Sequence, residues 1–109
     1  MKDQRAYILH IRDAIRCILE YTSAGEKAFF DDKKTQDAVV RNLEIMGEAA
    51  KHLSPLFRDG HPDIPWKSIA GTRDKVIHEY FGVDLNLIWD IVENQLPDLK
   101  VKIDNLLST

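Results

Sequence analysis

Val39 to Ser54, "VVRNLEIMGEAAKHLS", decides the fold. Val39, Leu43, Met46, Ala50 and Leu53 recur at helical steps of three and four, which puts them on one face of an α-helix; the alternation of a strand is missing. Ala38, Ile45 and Ala49 lie off that stripe, so burial on two sides is expected. Asp31 or Asp32 can cap the start of this helix, which should run over roughly 33–53.

The same period continues outward in both directions. Asp3 can cap a first helix ending near Thr22, with Ile8, Ile11, Ile15, Ile18 and Leu19 as its stripe and Tyr7 on the flank. "SAGEKAFFDD", 23–32, reads as a loop with Phe29 and Phe30 tucked back on the bundle. "SPLFRDGHPDIP", 54–65, cannot continue a helix, because its prolines lack the amide donor and clash with the preceding turn. Pro65 suits the first turn of a new helix over 65–81, open to a break near Gly71 and ended by Gly82. Asp84 can cap the last helix, whose face is Leu85, Ile88, Val92, Leu96, Leu99, Ile103 and Leu106. Pro97 lies inside it and predicts a kink. The expected architecture is all-α, an antiparallel four- to five-helix bundle forming a single domain over residues 1–109.

A chain of 109 residues buries a modest core, which a partner subunit would supplement. The net charge of −3 disfavours a broad nucleic-acid-binding surface, so any such contact must be local. Cys17 is the single cysteine, which excludes an internal disulfide and fits a reducing compartment. It sits mid-helix with no histidine in reach by sequence and reads as inert. "MKDQRAYILHIRD" lacks a signal peptide's apolar core, and no run approaches membrane-spanning length. A cytoplasmic protein without membrane contact is expected. His10, His52, His61 and His78 form no ligand cluster with the acids, so no metal site and no cofactor are expected. Arg5, Arg12 and Arg16 fall at similar angles on the first helix. They form either a solvated flank partnered by Asp13 and Glu20 or a track for an RNA backbone.

The exception to packing is Gly71 to Phe81, "GTRDKVIHEYF". Setting Trp66 at zero and turning about 100° per residue, Arg73 falls at about 340°, between Tyr80 at about 320° and Ile77 at about 20°. An arginine on that apolar stripe needs an anion. Two answers are open: an ion pair with Glu44 or Glu48 from another helix, or a cleft where the guanidinium fork receives a phosphate. His78 is off the Arg73 face in a regular helix. It serves either as a surface or capping group or, with an ordinary pKa of about 6.5, as a proton-transfer group. Tyr80 lines up with Arg73 and could equally be core.

Arg73, four residues, His78, one residue and Tyr80 match the R-x4-H-x-Y motif of the HepT-like branch of the HEPN superfamily. "VVRNLEIMGEAAKHLS", "IPWKSIAGTRDKVIHEYFGVD" and "IWDIVENQLPDL" around it resemble that branch too, so the likeness covers nearly the whole chain. The resemblance implies a HEPN-like fold and an endoribonuclease toxin of a type VII toxin–antitoxin pair. It implies a homodimer with both motifs facing one cleft, and an MntA-like nucleotidyltransferase antitoxin that adenylylates the motif tyrosine. Carried over, Arg73 and His78 are catalytic and Tyr80 is modified. Many HEPN proteins place asparagine after the motif arginine. Asp74 stands there instead, where a carboxylate can hold Arg73 or His78 but repels phosphate. Glu44 and Glu48 are candidate supports.

The chemistry these residues could support is metal-independent cleavage of RNA. One His78 would take the ribose 2′-OH proton, Arg73 would stabilise the phosphorane, and the other protomer's His78 would protonate the leaving oxygen. The competing reading is a non-catalytic helical adaptor that binds a nucleotidyltransferase or nucleotide. A structural dimer locked by an Arg73 ion pair would also explain the arginine.

Overall fold

Short polar side chains start the helices. In the computed structural model, which describes residues 3–78 and 82–108, Asp3 accepts from the Arg5 amide at 2.9 Å and Asp32 from the Lys34 amide at 3.0 Å. Asp84 accepts from the Leu87 amide at 3.0 Å, and Ser54 Oγ from the Phe57 amide at 3.1 Å. Each satisfies a donor that the first helical turn leaves without an intrahelical partner. The helices are α1 (Gln4–Tyr21), α2 (Glu26–Asp31), α3 (Lys33–His52), α4 (Pro55–Asp59), α5 (Trp66–Val76), α6 (Leu85–Asp90) and α7 (Leu96–Leu107). A two-residue ladder, β1 (Ile77–His78) with β2 (Gly82–Val83), is the one non-helical pairing among the described residues.

The all-α bundle is as expected. α3 packs on α1 at one side and α5 at the other, and α1 also packs on α7. Val39, Leu43, Met46, Ala50 and Leu53 are all buried, and Ala49 is buried as well. They meet Ile8, Ile11, Ile15 and Ile18 from α1, Trp66 and Ile69 from α5, and Leu96, Leu99 and Ile103 from α7 in one core. The pairings are antiparallel. The Ser54 amide donates to Gln4 Oε1 at 2.8 Å, so the end of α3 lies at the start of α1. Arg5 Nη1 donates to the Leu107 carbonyl at 3.2 Å, so the end of α7 lies there too.

Three expectations need correction. Residues 23–32 are not all loop: Gly25, at φ 101°, lets the chain turn into α2, which buries Phe29 and half-buries Phe30. Residues 54–65 do interrupt the bundle, but Ser54 caps the short α4 with Pro55 in its first turn, a position that needs no amide donor. The helix expected over 65–81 ends at Val76 and has no break at Gly71. Ile77 is extended (φ −106°, ψ 118°), and the Asp84 amide donates to the Val76 carbonyl at 2.7 Å. The β-branched pair Val76–Ile77 favours that change. Gly82, at φ 78°, takes a conformation other residues resist as the chain returns.

Where a kink is expected at Pro97, the helix widens just before the proline. Ile91–Gln95 is π-helical, and the Leu96 amide reaches the Ile91 carbonyl five residues back. Pro97 brings no donor to the carbonyl four residues before it, so a wider turn costs less there. Ile88, Val92, Leu96 and Leu99 remain buried on either side. Among the described residues, no helix is long and apolar enough to cross a membrane.

Candidate functional site

The site begins with a glycine. Gly47 is buried in the middle of α3, where a glycine costs a helix about 1 kcal/mol. A Cβ there would stand 3.3 Å from the carbonyl oxygens of both Ile69 and Ala70. Without one, α3 and α5 close tightly along a seam. Arg73 follows Ala70 by one turn on α5, and Glu44 precedes Gly47 by one turn on α3. In antiparallel helices those positions coincide, and Arg73 Nε donates to Glu44 Oε2 at 3.2 Å.

The guanidinium is held but not enclosed. The Arg73 side chain is 53% exposed and that of Glu44 31%. Nη1 stands 3.9 Å from Asp74 Oδ1, beyond hydrogen-bond reach. The expectation of an arginine in the middle of the apolar stripe is thereby corrected. Trp66, Ile69 and Val76 are the buried residues of α5, and arginine's long stem lets the charged head leave the seam for its edge. Of the two answers left open for its anion, Glu44 supplies a partner while an open cavity remains in front. That cavity, of about 280 Å³, is lined by Glu44, Gly47, Glu48, Lys51, Ala70, Arg73 and Asp74. Glu48 does not pair with Arg73. It lies 3.8 Å from His52 Nε2 and 3.9 Å from Lys51 Nζ.

The backbone of His78 is in β1, opposite Gly82, rather than on α5, so the helical angle that separated it from Arg73 no longer applies. The side chain of His78 and the whole of Tyr80 lie outside the described residues.

A second cavity, of about 350 Å³, opens on the other flank of α3 and shares Glu44 and Glu48 with the first. Tyr7 from α1 and His52 from the end of α3 stack there, ring centres 5.3 Å apart and planes 15° from parallel. Sequence reasoning missed this pair. Its signals were Tyr7 on the flank of its stripe and a histidine in the last turn of α3, but only the antiparallel pairing of α1 and α3 joins them.

The basic row on α1 is mostly tied down. Arg12 Nη2 contacts Asp13 Oδ1 at 3.0 Å, as expected, and Arg5 binds the Leu107 carbonyl. A hydrogen bond from Lys100, with the charges of Lys100, Arg16 and Arg12, holds Asp104 below the ordinary carboxyl value. No pairing of Glu20 with the row was found among the described residues. Cys17 is half-buried and free. Among the described residues no three histidine, cysteine or acidic groups converge as metal ligands would.

Comparison with known proteins bears on this geometry. The family described as "Ribonuclease HepT-like" matches residues 11–106. "Probable ribonuclease HepT" of Thermococcus cleftensis is 45% identical over 106 residues, covering 96% of each chain. "Putative RNase MJ0127" of Methanocaldococcus jannaschii is 42% identical over 107 residues, 97% of this chain and 88% of that one. "Gamma-glutamylcyclotransferase and putative RNase MJ0434" of the same organism is 48% identical over 103 residues, 94% of this chain but 46% of that longer one. No solved structure matches this chain.

Proposed function

We propose that this chain, which belongs to the HepT-like ribonuclease family, is a metal-independent endoribonuclease and the toxin of a type VII toxin–antitoxin pair. The observation that carries the reading is Arg73. Its Nε is held by Glu44 while more than half of the side chain is exposed, at the wall of an open cavity. A guanidinium fixed on one edge and open on the other suits a phosphoryl group, whose oxygens match its planar donors. A purely structural lock fits less well, since a pair this exposed contributes only about 0.2–1 kcal/mol.

In this mechanism His78 takes the proton from a ribose 2′-OH, and the oxygen attacks the adjacent phosphorus. Charge builds on the pentavalent phosphorane, and Arg73 stabilises it. The 5′-oxygen leaves with a proton from the His78 of a second copy, brought close by a twofold dimer. Each proton transfer contributes about 10²–10⁴ in rate. The product ends in a 2′,3′-cyclic phosphate. Asp74, 3.9 Å from Nη1, is beyond hydrogen-bond reach and leaves that end of the fork free to donate to the substrate phosphate.

Control falls to Tyr80. A nucleotidyltransferase antitoxin transfers AMP from ATP to its hydroxyl, breaking the bond between the α- and β-phosphates and releasing pyrophosphate, and the added phosphate competes with RNA for Arg73. The non-catalytic adaptor reading gives the half-open guanidinium a partner or a nucleotide to contact, and it is set apart by predicting no cutting.

The test is cleavage of single-stranded RNA by the purified protein in EDTA, with mass analysis of the product ends. A 2′,3′-cyclic phosphate, and loss of cutting when the 2′-OH at the cleaved position is replaced by hydrogen, are expected. Cutting that survives the deoxy substitution rules out this chemistry.

A further inference from the structure

We propose that the Tyr7–His52 stack is a nucleobase subsite, holding a base of a nucleotide that flanks the one whose phosphate Arg73 receives. It rests on the ribonuclease reading and adds a place where the strand is gripped.

The geometry has three parts. The two rings lie nearly parallel at 5.3 Å, so the stack offers an outer π-face on which a third ring can continue it. The His52 side chain is 51% exposed, so the stack borders solvent rather than the core. The cavity of about 350 Å³ has apolar carbon from Ile45 and Ala49 in its wall, as a flat heterocycle requires. Bases of single-stranded RNA are gripped in this way, by stacking on aromatic or histidine rings, and every base has a face to offer.

The stacked rings decide which part of the nucleotide enters. Glu44 and Glu48 stand in the walls of both cavities. On the α5 side Arg73 answers Glu44, so a phosphate is tolerated. On the α1 side Glu48 lies against His52, and Arg41 and His10 share the wall with the two carboxylates, so charges of both signs frame the stack and the carboxylates can accept from the N–H edges of a base. Because both cavities share the Glu44–Glu48 ridge, a single strand can cross it with phosphate on one side and base on the other.

The experiment uses the full-length protein, its His52→Ala and Tyr7→Leu variants, and single-stranded RNAs in which one abasic ribose is walked outward from the cleaved bond. At one flanking position the wild type should lose about five- to a hundredfold in kcat/KM. His52→Ala should already lack that factor with every base present and lose nothing more from the abasic ribose. The exposed His52→Ala change leaves the core intact, and Tyr7→Leu checks the other ring. Equal rates for the wild type and both variants on every RNA overturn the subsite. So does a change in oligomeric state caused by His52→Ala, because a second copy then fills the groove.

Binding of RNA carrying 2-aminopurine separates this proposal from the cleavage reading. Fluorescence quenched by wild type but not by His52→Ala supports the base site even if nothing is cut. Absence of quenching at every position overturns it even if cutting proceeds.

Discussion

A Cβ on Gly47 would come within 3.3 Å of the Ala70 carbonyl oxygen, so the approach of α3 to α5 depends on that residue having none. Replacing it with alanine gains helix propensity of about 1 kcal/mol but forces backbone apart in a packed seam, at about 1–3 kcal/mol. Gly47→Ala should lower the thermal midpoint by a few degrees, roughly 4–8 °C per kcal/mol for a domain of this size. Activity should fall further than the loss of folded protein explains, since Glu44 and Arg73 are one turn away. An unchanged midpoint would show that the seam has slack.

Glu44 orients Arg73 through the 3.2 Å hydrogen bond to Nε. Glu44→Gln removes the charge and keeps the side chain's shape. Stability should change by less than about 1 kcal/mol, as for other partly exposed pairs. The cleavage rate should drop about ten- to a hundredfold, the scale expected when a group is misplaced by a fraction of an ångström. Stopped-flow or gel kinetics beside a thermal melt separate the two effects.

Tyr80→Phe removes the hydroxyl that AMP would occupy. The variant should retain ribonuclease activity and stay unmodified when co-expressed with its nucleotidyltransferase, as read by intact mass. It should therefore remain toxic in the presence of the antitoxin. Neutralisation of Tyr80→Phe would mean that the antitoxin works by masking.

Acid should weaken the fold through Asp32 and Asp104. Asp32 is held below the ordinary value of 3.8 by the Thr35 hydroxyl and the Lys34 amide, and Asp104 by Lys100. Both values are depressed in the folded state. Their stabilisation is therefore present above the unfolded carboxyl value and is lost as pH falls through the folded one. Chemical denaturation from pH 6 down to pH 2 should show a declining midpoint, with a shallower decline in Asp104→Asn. An identical slope for wild type and variant would remove Asp104 from this account.

The bundle was legible because its core residues obey one period. Val39, Leu43, Met46, Ala50 and Leu53 sit where spacing puts them, and all are buried. Two kinds of feature were not legible. The change from helix to ladder after Val76 depends on Gly82 turning the chain back to pair with His78, which helical angles do not report. The exposure of Arg73 depends on its long stem, which carries the charged head out of the seam, whereas a helical wheel reports only the direction of the first bond. Glu44 could be named as a partner because it was an acid on a neighbouring helix. Choosing it over Glu48 required the antiparallel register that Gly47 sets. The Tyr7–His52 stack joins residues from two helices, and only the antiparallel pairing of α1 and α3 brings their separate signals together.

The measurement closest to the centre is a comparison of Arg73→Ala with wild type in two readouts taken on the same samples, cleavage rate and thermal midpoint. Loss of a donor to the developing charge should cost about a hundredfold or more in rate, while the midpoint moves by no more than a few degrees because the exposed pair contributes little to the fold. A variant that cuts RNA as fast as wild type, or one that loses activity only because it unfolds, would contradict the role given to Arg73.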